Sequence, residues 1–536
     1  MSLIPRFARL GPVALALWLA GCATTPRPVI DHGVDLTPMP ARPVASQLAP
    51  GWERGVFMEI FVRAYQDSNG DGIGDLQGLT QRLDYLQALG IKGIWLMPIM
   101  KSADRDHGYA TTDYRDIETD YGTLADFDTF IAAAHARGIG VIIDYVINHS
   151  AAEHPLFANA RSGPDARYRN WFVWDKSPPA GWDIWGKHPW YPAGAQFYFG
   201  TFGPHMPDFN MRNPEVVKYH EDSLRFWLNR GMDGFRLDAV PHLVENNAVD
   251  WNDQPESRAL TAGFTRLSKS YPRRYVVCEA TAKPEDYASD TICGGAFAFG
   301  LQYEIIKAAK GDAEAVAKVA DYFRTASPNM ATMLSNHDIF AGQRVWDQLA
   351  GDTARYKLAA ASYLLLPGTP FIYYGEEVGQ AGIPGLEGDF PIRGPMSWSS
   401  EPGAGFSKGT PFRPTAPNAA QQNVVSEQAR PDGLLAFYKA MIALRNTLPA
   451  IARGSYEHAS VQGSALSYQR RLGKETVLVA INYGSAPASL DIAQLPANRS
   501  AEARYPAHAA KLRSNEKGQL TLALAPQSVA VYRLVD

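Results

Sequence analysis

The chain of 536 residues has room for two or three domains, and 46% hydrophobic against 20% charged residues puts it in the ordinary globular range. Its formal net charge of -4 lacks the basic surplus that a phosphate backbone demands, which argues against nucleic acid as a partner. Aromatics make up 11% of the chain and crowd residues 171–198, where they can stack on the flat apolar faces of sugar rings or simply pack a core.

In chain order, the leader comes first. Arg6 and Arg9 precede an apolar run over 11–20, too short to span a bilayer but suited to the hydrophobic region of an export signal. The run ends in Leu19-Ala20-Gly21-Cys22, which resembles the lipobox of bacterial lipoproteins. That resemblance implies a signal peptide over 1–22, lipidation of Cys22 and attachment to a membrane. Ala23, rather than Asp, after the cysteine resembles the pattern that sends such proteins to an outer membrane, facing the periplasm or the cell surface. Residues 23–50 are rich in Pro, Thr and Ala without periodicity and read as a tether. Only Cys278 and Cys293 remain beyond Cys22; both a disulfide and two free buried thiols are open readings.

From residue 51 a unit recurs: a helix-period segment, a glycine, then a short apolar strand. Leu76, Leu79, Leu83, Leu86 and Leu89 lead to Gly90 and GIWLMP (93–98). Phe127, Phe130, Ile131 and Ala134 lead to Gly138 and GVIIDYV (140–146); Val216, Leu224, Trp227 and Leu228 lead to Gly231 and GFRLDAV (234–240). Further strands are predicted at VFMEIFV (56–62), RYVVCEA (274–280), MATMLSNHD (330–338) and TPFIYYGEE (369–377), with a weak one over 296–299. Eight apolar strands alternating with helices predict an α/β fold, a closed (β/α)8 TIM barrel over 51–149 and 209–450. A doubly wound open sheet is the alternative, but no nucleotide-binding glycine loop follows any strand. The long interval after the third strand predicts an inserted subdomain over 150–208, and alternating short strands over 451–536 predict a C-terminal antiparallel β-sandwich.

In such a barrel, polar residues at the C-terminal strand ends share one mouth. Arg236 and Asp238, two apart, project from the same strand face, and arginine beside the carboxylate lowers its pKa and suits it to be a nucleophile. Glu279 follows the apolar Val276-Val277-Cys278, surroundings that raise a pKa and keep a general acid protonated. Asp338 ends the strand SNHD beside Asn336 and His337. Three carboxyl groups on separate strand ends are the constellation that cleaves glycosidic bonds.

At this point the chain resembles the alpha-amylase family of glycoside hydrolases. The separated motifs DYVINH (144–149), MPDFN (206–210), GFRLDAVPH (234–242), CEA (278–280) and SNHD (335–338) fall in the family's order, with GIWLMP and GTPFIYYGEE (368–377) similar to its second and eighth strands. The resemblance implies a retaining mechanism: Asp238 attacks the anomeric carbon, Glu279 protonates the leaving oxygen and then activates water, and Asp338 binds sugar hydroxyls. It also implies that His149 and His337 hydrogen-bond the sugar, that Tyr109 stacks beneath it and that Asp144 orients Arg236. Two positions depart from the family pattern, Pro241 where Lys is common and Ala110 where Asp is common, and Ala239 after the nucleophile resembles members that act on alpha-1,4 bonds.

Residues 67–75, DSNGDGIGD, space oxygen ligands at alternate positions around a glycine turn, as a loop that wraps Ca²⁺ does; Gly78, where an EF-hand needs Glu, excludes an EF-hand. Similar loops in the family imply calcium held by Asp67, Asn69, Asp71, the Ile73 carbonyl and Asp75. A second calcium near Asn148 stays open. The expectation is a monomeric, lipid-anchored alpha-amylase that cleaves internal alpha-1,4 bonds of starch-like glucans or maltooligosaccharides. The alternative is an oligosaccharide-specific alpha-glucosidase or glucosyltransferase, which the calcium loop and PMSW (395–398) resemble. A noncatalytic glycan-binding lipoprotein is disfavoured because all three carboxylates are present.

Overall fold

The computed structural model describes residues 28–43, 45–104 and 106–535. At its centre is a closed barrel of β1 (Phe57–Ile60), β2 (Gly93–Leu96), β3 (Gly140–Tyr145), β4 (Gly234–Leu237), β5 (Tyr275–Cys278), β6 (Ala296–Phe297), β7 (Met330–Thr332) and β8 (Thr369–Tyr373). Neighbouring strands pair in parallel around the whole circuit. Successive strand residues face opposite ways, so each strand supplies two apolar sets. Phe57, Trp95, Ile142, Val277, Phe297, Ala331 and Phe371 form one cluster that fills the barrel. Met58, Ile94, Val141, Ile143, Val276 and Ile372 belong to the cluster shared with the surrounding helices.

The helix, glycine, strand unit is present. Thr123 caps helix Leu124–Ala136 through a capping box with Asp126, and Asn213 with Pro214 starts helix Pro214–Asn229. Gly90, Gly138 and Gly231, which close the helices, all have positive φ (96°, 68° and 102°), a conformation glycine adopts without steric cost. The insertion after β3 carries its own antiparallel sheet, Gln196–Phe199 between Trp174–Asp175 and Trp190–Ala193.

The C-terminal part has β9 (Ser455–Gln462), β10 (Ala465–Leu472), β11 (Glu475–Asn482), β12 (Ala488–Ile492), β13 (Ser500–Tyr505), β14 (Leu512–Arg513), β15 (Leu520–Leu524) and β16 (Ser528–Val535). Strands β9, β10, β11, β16, β13 and β14 form one sheet, and β12 with β15 a second. The alternation within β11 builds the layering. Val477, Val479 and Ile481 pack with the barrel helices, whereas Leu478 and Ala480 face the two-stranded sheet.

Three sequence expectations are corrected or resolved here. The described part of the segment read as a tether lies along the barrel: it opens with a hairpin of Ile30–Asp31 and Val34–Asp35, and Leu48 is buried. Its backbone bonds to the layer around the barrel: Arg115 Nη1 donates to Thr37 O (2.8 Å), Asn229 Nδ2 to Pro40 O (3.0 Å) and the Arg42 amide to Asn229 Oδ1 (2.9 Å). Strand β7 stops at Thr332 rather than running to Asp338, and further on Asn336 Oδ1 accepts the Asp338 amide (2.8 Å) at a bend. Cys278 and Cys293 form a disulfide that ties the end of β5 to the loop before β6. Cys22 and the leader lie outside the described residues.

Candidate active site

The barrel register builds the site. Arg236 lies opposite Asp144 of β3 and Val277 of β5, and Glu59 lies opposite Trp95 and Tyr373. Two residues above the interior Phe57, Ile142 and Val277 stand Glu59, Asp144 and Glu279 on the same inward face. The period of two that fills the core with apolar side chains therefore lifts acids into the mouth.

Arg236, 1% exposed, is their common partner. Its Nη1 meets Asp144 Oδ1 (2.9 Å) and Asp238 Oδ1, and its Nη2 meets Glu279 Oε2 (2.9 Å). One planar guanidinium thus holds the two reacting carboxyl candidates side by side, as the spacing of Arg236 and Asp238 predicts. Just past Asp238, Ala239 adopts a left-handed conformation (φ 50°) and directs its amide at Glu279 Oε2 (3.2 Å).

Burial dominates the electrostatics. It pushes Asp144 up to about 6 against Arg236, and Asp338 up to about 7 against Arg393. Asp238 is also raised well above the usual carboxylate range; burial is the largest cause, Arg236 opposes it, and the Glu279 charge adds to the rise. This corrects the expectation of a lowered pKa: the single guanidinium is divided among three carboxylates while desolvation acts on each. Burial also drives His149 down to about 3 and His242 to about 4, so both rings are neutral.

Asp238, Glu279, Asp338, Tyr109 and His149 line one cavity of about 640 Å³. Tyr109 stacks on His337 (14° between planes) and donates its hydroxyl to Asp144 Oδ2 (2.8 Å). Neither ring nitrogen of His149 makes a well-formed hydrogen bond to protein. All the residues expected at the active site, Asp144 and Arg236 included, therefore meet at one mouth.

Sequence reasoning missed the ionic wall of this cavity and only hinted at the aromatic one. On one side Arg393 pairs with Asp338 (3.3 Å) and Asp389 (2.9 Å), and Arg413 pairs with Asp106 (2.8 Å) and bonds the Arg393 carbonyl (3.0 Å). On the other stand aromatic rings: His242 stacks on Trp251 (13° between planes), and Trp185, 61% exposed, packs against Phe202, His242 and Trp251. No local pattern signals Arg393 or Arg413, whereas the crowding of Trp in the insertion is a visible signal.

The expected calcium loop is separate from the cavity. Its donors are oxygens, and among the described residues none of Asp67, Asp71 and Asp75 is ion-paired, a set whose chemistry fits a hard cation. The Asp67 oxygens accept the amides of Asn69, Gly70 and Gly72 and the Ser407 hydroxyl, and Asp75 caps helix Leu76–Gln81 through the Gly78 amide. Among the described residues no group of three or more His, Cys, Asp or Glu side chains is gathered at metal-binding distance.

A barrel with carboxyl groups gathered at its mouth defines a glycosidase-type enzyme. The chain belongs to the alpha-amylase family of glycoside hydrolases, since the family model for the alpha amylase catalytic domain matches residues 59–454. It is 32% identical over 500 residues to a probable alpha-glucosidase of Rhizobium meliloti, covering 82% of this chain and 91% of that protein. It is 34% identical over 482 residues to the trehalose synthase/amylase TreS of Mycolicibacterium smegmatis, covering 79% and 81%. The crystal structure of an alpha-amylase from H. orenii superposes with a TM-score of 0.79 at 32% identity, covering 90% of this chain and 100% of that one.

Proposed function

We propose that this enzyme is a retaining alpha-glucosidase or glucosyltransferase acting on the ends of short alpha-linked glucosides, in place of the endo-acting amylase expected from sequence. The observation that carries this reading is the wall of ion pairs. Arg413 to Asp106 and Arg393 to Asp338 and Asp389 join the loop after β2 to the segments after β7 and β8. A glucan cut internally must leave the site on both sides of the scissile bond; a walled end leaves a pocket for a terminal glucose. The alpha-glucosidase and trehalose synthase likenesses support the same reading, and the amylase likeness supports the endo-acting one.

In this mechanism Asp238 attacks the anomeric carbon while Glu279 gives its proton to the leaving oxygen. The glucosyl–Asp238 ester then reacts with water, or with a sugar hydroxyl, whose proton Glu279 takes up. Arg236 stays charged between the two and keeps them adjacent. His149, His337 and Asp338 hold the hydroxyls of the bound glucose against Tyr109. The leaving group or acceptor rests on Trp185, Phe202, His242 and Trp251, where Pro241 offers no charge.

Product analysis on maltotetraose and soluble starch decides between the readings. Glucose, or transfer products of one added glucose, should appear first while iodine staining falls slowly. A rapid loss of staining with maltotriose and longer fragments would restore the endo-acting reading.

The proposal includes a calcium ion held by Asp67, Asn69, Asp71, the Ile73 carbonyl and Asp75, which compensates clustered acids and takes no part in bond cleavage. It also includes a monomer anchored to the outer membrane through a lipid on Cys22; incorporation of labelled palmitate, abolished by Cys22→Ala, is the check.

A further inference from the structure

No step above uses Glu59, a carboxyl group in the middle of β1 that is 1% exposed. Its Oε1 lies 2.6 Å from His337 Nδ1 and 3.3 Å from the His337 amide. Among the described residues it has no arginine or lysine partner; His337 is its only ion-pair neighbour. A buried carboxyl group with no cation beside it is stable when it is neutral and hydrogen-bonded.

The other imidazole nitrogen shows which way the protons run. His337 Nε2 lies 2.6 Å from the Tyr109 hydroxyl and 3.2 Å from Asp338 Oδ2. Tyr109 has one proton and gives it to Asp144, so toward His337 its oxygen only accepts. Asp338, a carboxylate above its raised pKa of about 7, also only accepts there. Nε2 must therefore carry the hydrogen. In a neutral imidazole, Nδ1 is then an acceptor, and the group facing it has to donate.

We infer that Glu59 is a positioning residue: it donates its carboxyl O–H to His337 Nδ1 and so fixes His337 as a neutral Nε2–H donor facing the sugar. This rests on the reading above that His337 meets the sugar. The surroundings favour the neutral pair. Burial, Asp338 and Asp144 all raise the Glu59 pKa, and only Arg236 and the His337 amide act against them; Tyr373 faces Glu59 from β8. His337 is held neutral by burial and by Arg393, Arg236 and His107. Trp95 closes the remaining side, edge-on to the His337 ring.

The arrangement has a definite failure point. When alkali removes the Glu59 proton to solvent, the carboxylate draws the single imidazole hydrogen onto Nδ1. Nε2 then turns a bare lone pair toward Asp338 and the sugar oxygen, and a donor is lost.

The test compares Glu59→Gln, Glu59→Met and His337→Ala on p-nitrophenyl alpha-glucoside across pH. In Glu59→Met nothing donates to Nδ1, and KM should rise about tenfold, the effect of one buried hydrogen bond, with a smaller fall in kcat. In Glu59→Gln the side-chain amide donates from the same place, so KM should stay within about twofold of wild type at neutral pH. Its KM should also lack the alkaline rise that the wild type displays, because an amide does not titrate. A Gln variant as impaired as the Met variant would mean that a carboxylate is required and would overturn the inference. So would an unchanged KM in Glu59→Met while His337→Ala raises it. An unchanged KM in His337→Ala would instead remove the sugar contact of His337, and this inference with it.

Discussion

At Arg236 a single guanidinium faces three buried carboxylates, and the arithmetic of charge makes the nucleophile a liability to the fold. The folded-state pKa of Asp238 lies above its unfolded value. Its contribution to stability is therefore full below about pH 4 and is lost as pH rises through the folded pKa. Asp238→Asn removes that dependence. The variant should lose about six orders of magnitude in kcat, the scale of removing a nucleophile. It should also melt above the wild type, by a margin that widens from pH 4 to pH 8. Parallel activity and melting curves check both; a margin that narrows with pH would contradict the assigned sign. The charges behind this prediction were legible in GFRLDAVPH, because an Arg and an Asp two apart in an apolar strand have one face to share. Glu59 in VFMEIFV bears the same signature of one charge inside a buried run. The pKa was not legible: it depends on how many acids divide Arg236, and Asp144 and Glu279 reach it from other strands.

Among elements, the segment after β8 depends on the loop after β1. The Phe406 carbonyl accepts from the Asp67 amide (3.1 Å) and Gln66 Nε2 (2.7 Å), and Ser407 Oγ donates to Asp67 Oδ2 (2.5 Å). Phe412 N donates to Gly72 O (2.9 Å), and a Cβ on Gly72 would stand 1.9 Å from the Thr410 carbonyl oxygen. One residue beyond Phe412 is Arg413, which bonds the carbonyl of the cavity-lining Arg393. On the calcium proposal, an ion at 67–75 would reach the pocket through these backbone contacts. Chelation should lower the melting temperature by about 5 °C, the scale of a ligand lost from a domain of this kind, and raise KM for short substrates. Added calcium should reverse both. A melt indifferent to chelator would exclude the ion, and a shifted melt with an unchanged KM would separate it from the wall. The loop itself is readable in DSNGDGIGD because its spacing is local. Its partner is not, since Asp67 and Ser407 are 340 residues apart and nothing in either stretch names the other.

In the whole molecule, buried Arg470 ties the C-terminal sandwich to the closed end of the barrel, beside a second buried arginine, Arg445, whose bonds stay within the barrel. Alternating strands made that sandwich predictable, but not its docking, because apolar faces fit many partners. Arg445 donates to the carbonyls of Arg54 (2.9 Å), Leu364 and Leu366 (both 3.1 Å), and also to that of Gly368. Arg470 of β10 donates to Leu365 O (3.0 Å), Gly454 O (2.8 Å) and Ser455 O (3.1 Å). Neither is ion-paired among the described residues; their counter-charge is the carbonyl end of helix Thr353–Leu365, where the helix dipole is negative. Burial brings Arg470 down to about 10, so it remains charged at neutral pH and its hydrogen bonds are charge-assisted. Arg470→Met keeps the apolar stem but strands the buried Leu365 and Gly454 carbonyls, one in each domain, and frees that of Ser455. It should destabilise the protein by about 2 to 4 kcal/mol, less than three charged hydrogen bonds because the methionine is easier to bury. Arg470→Lys, a single point of charge that cannot span all three acceptors, should fall between. Since the clamp sits opposite the catalytic mouth, kcat of the surviving folded enzyme should not change. Hydrogen exchange gives the sharper reading: strands β9, β10 and β11 should lose protection before the barrel strands do. Should Arg470→Met melt with the wild type and leave those strands equally protected, apolar packing alone holds the two domains together and Arg470 is a passenger.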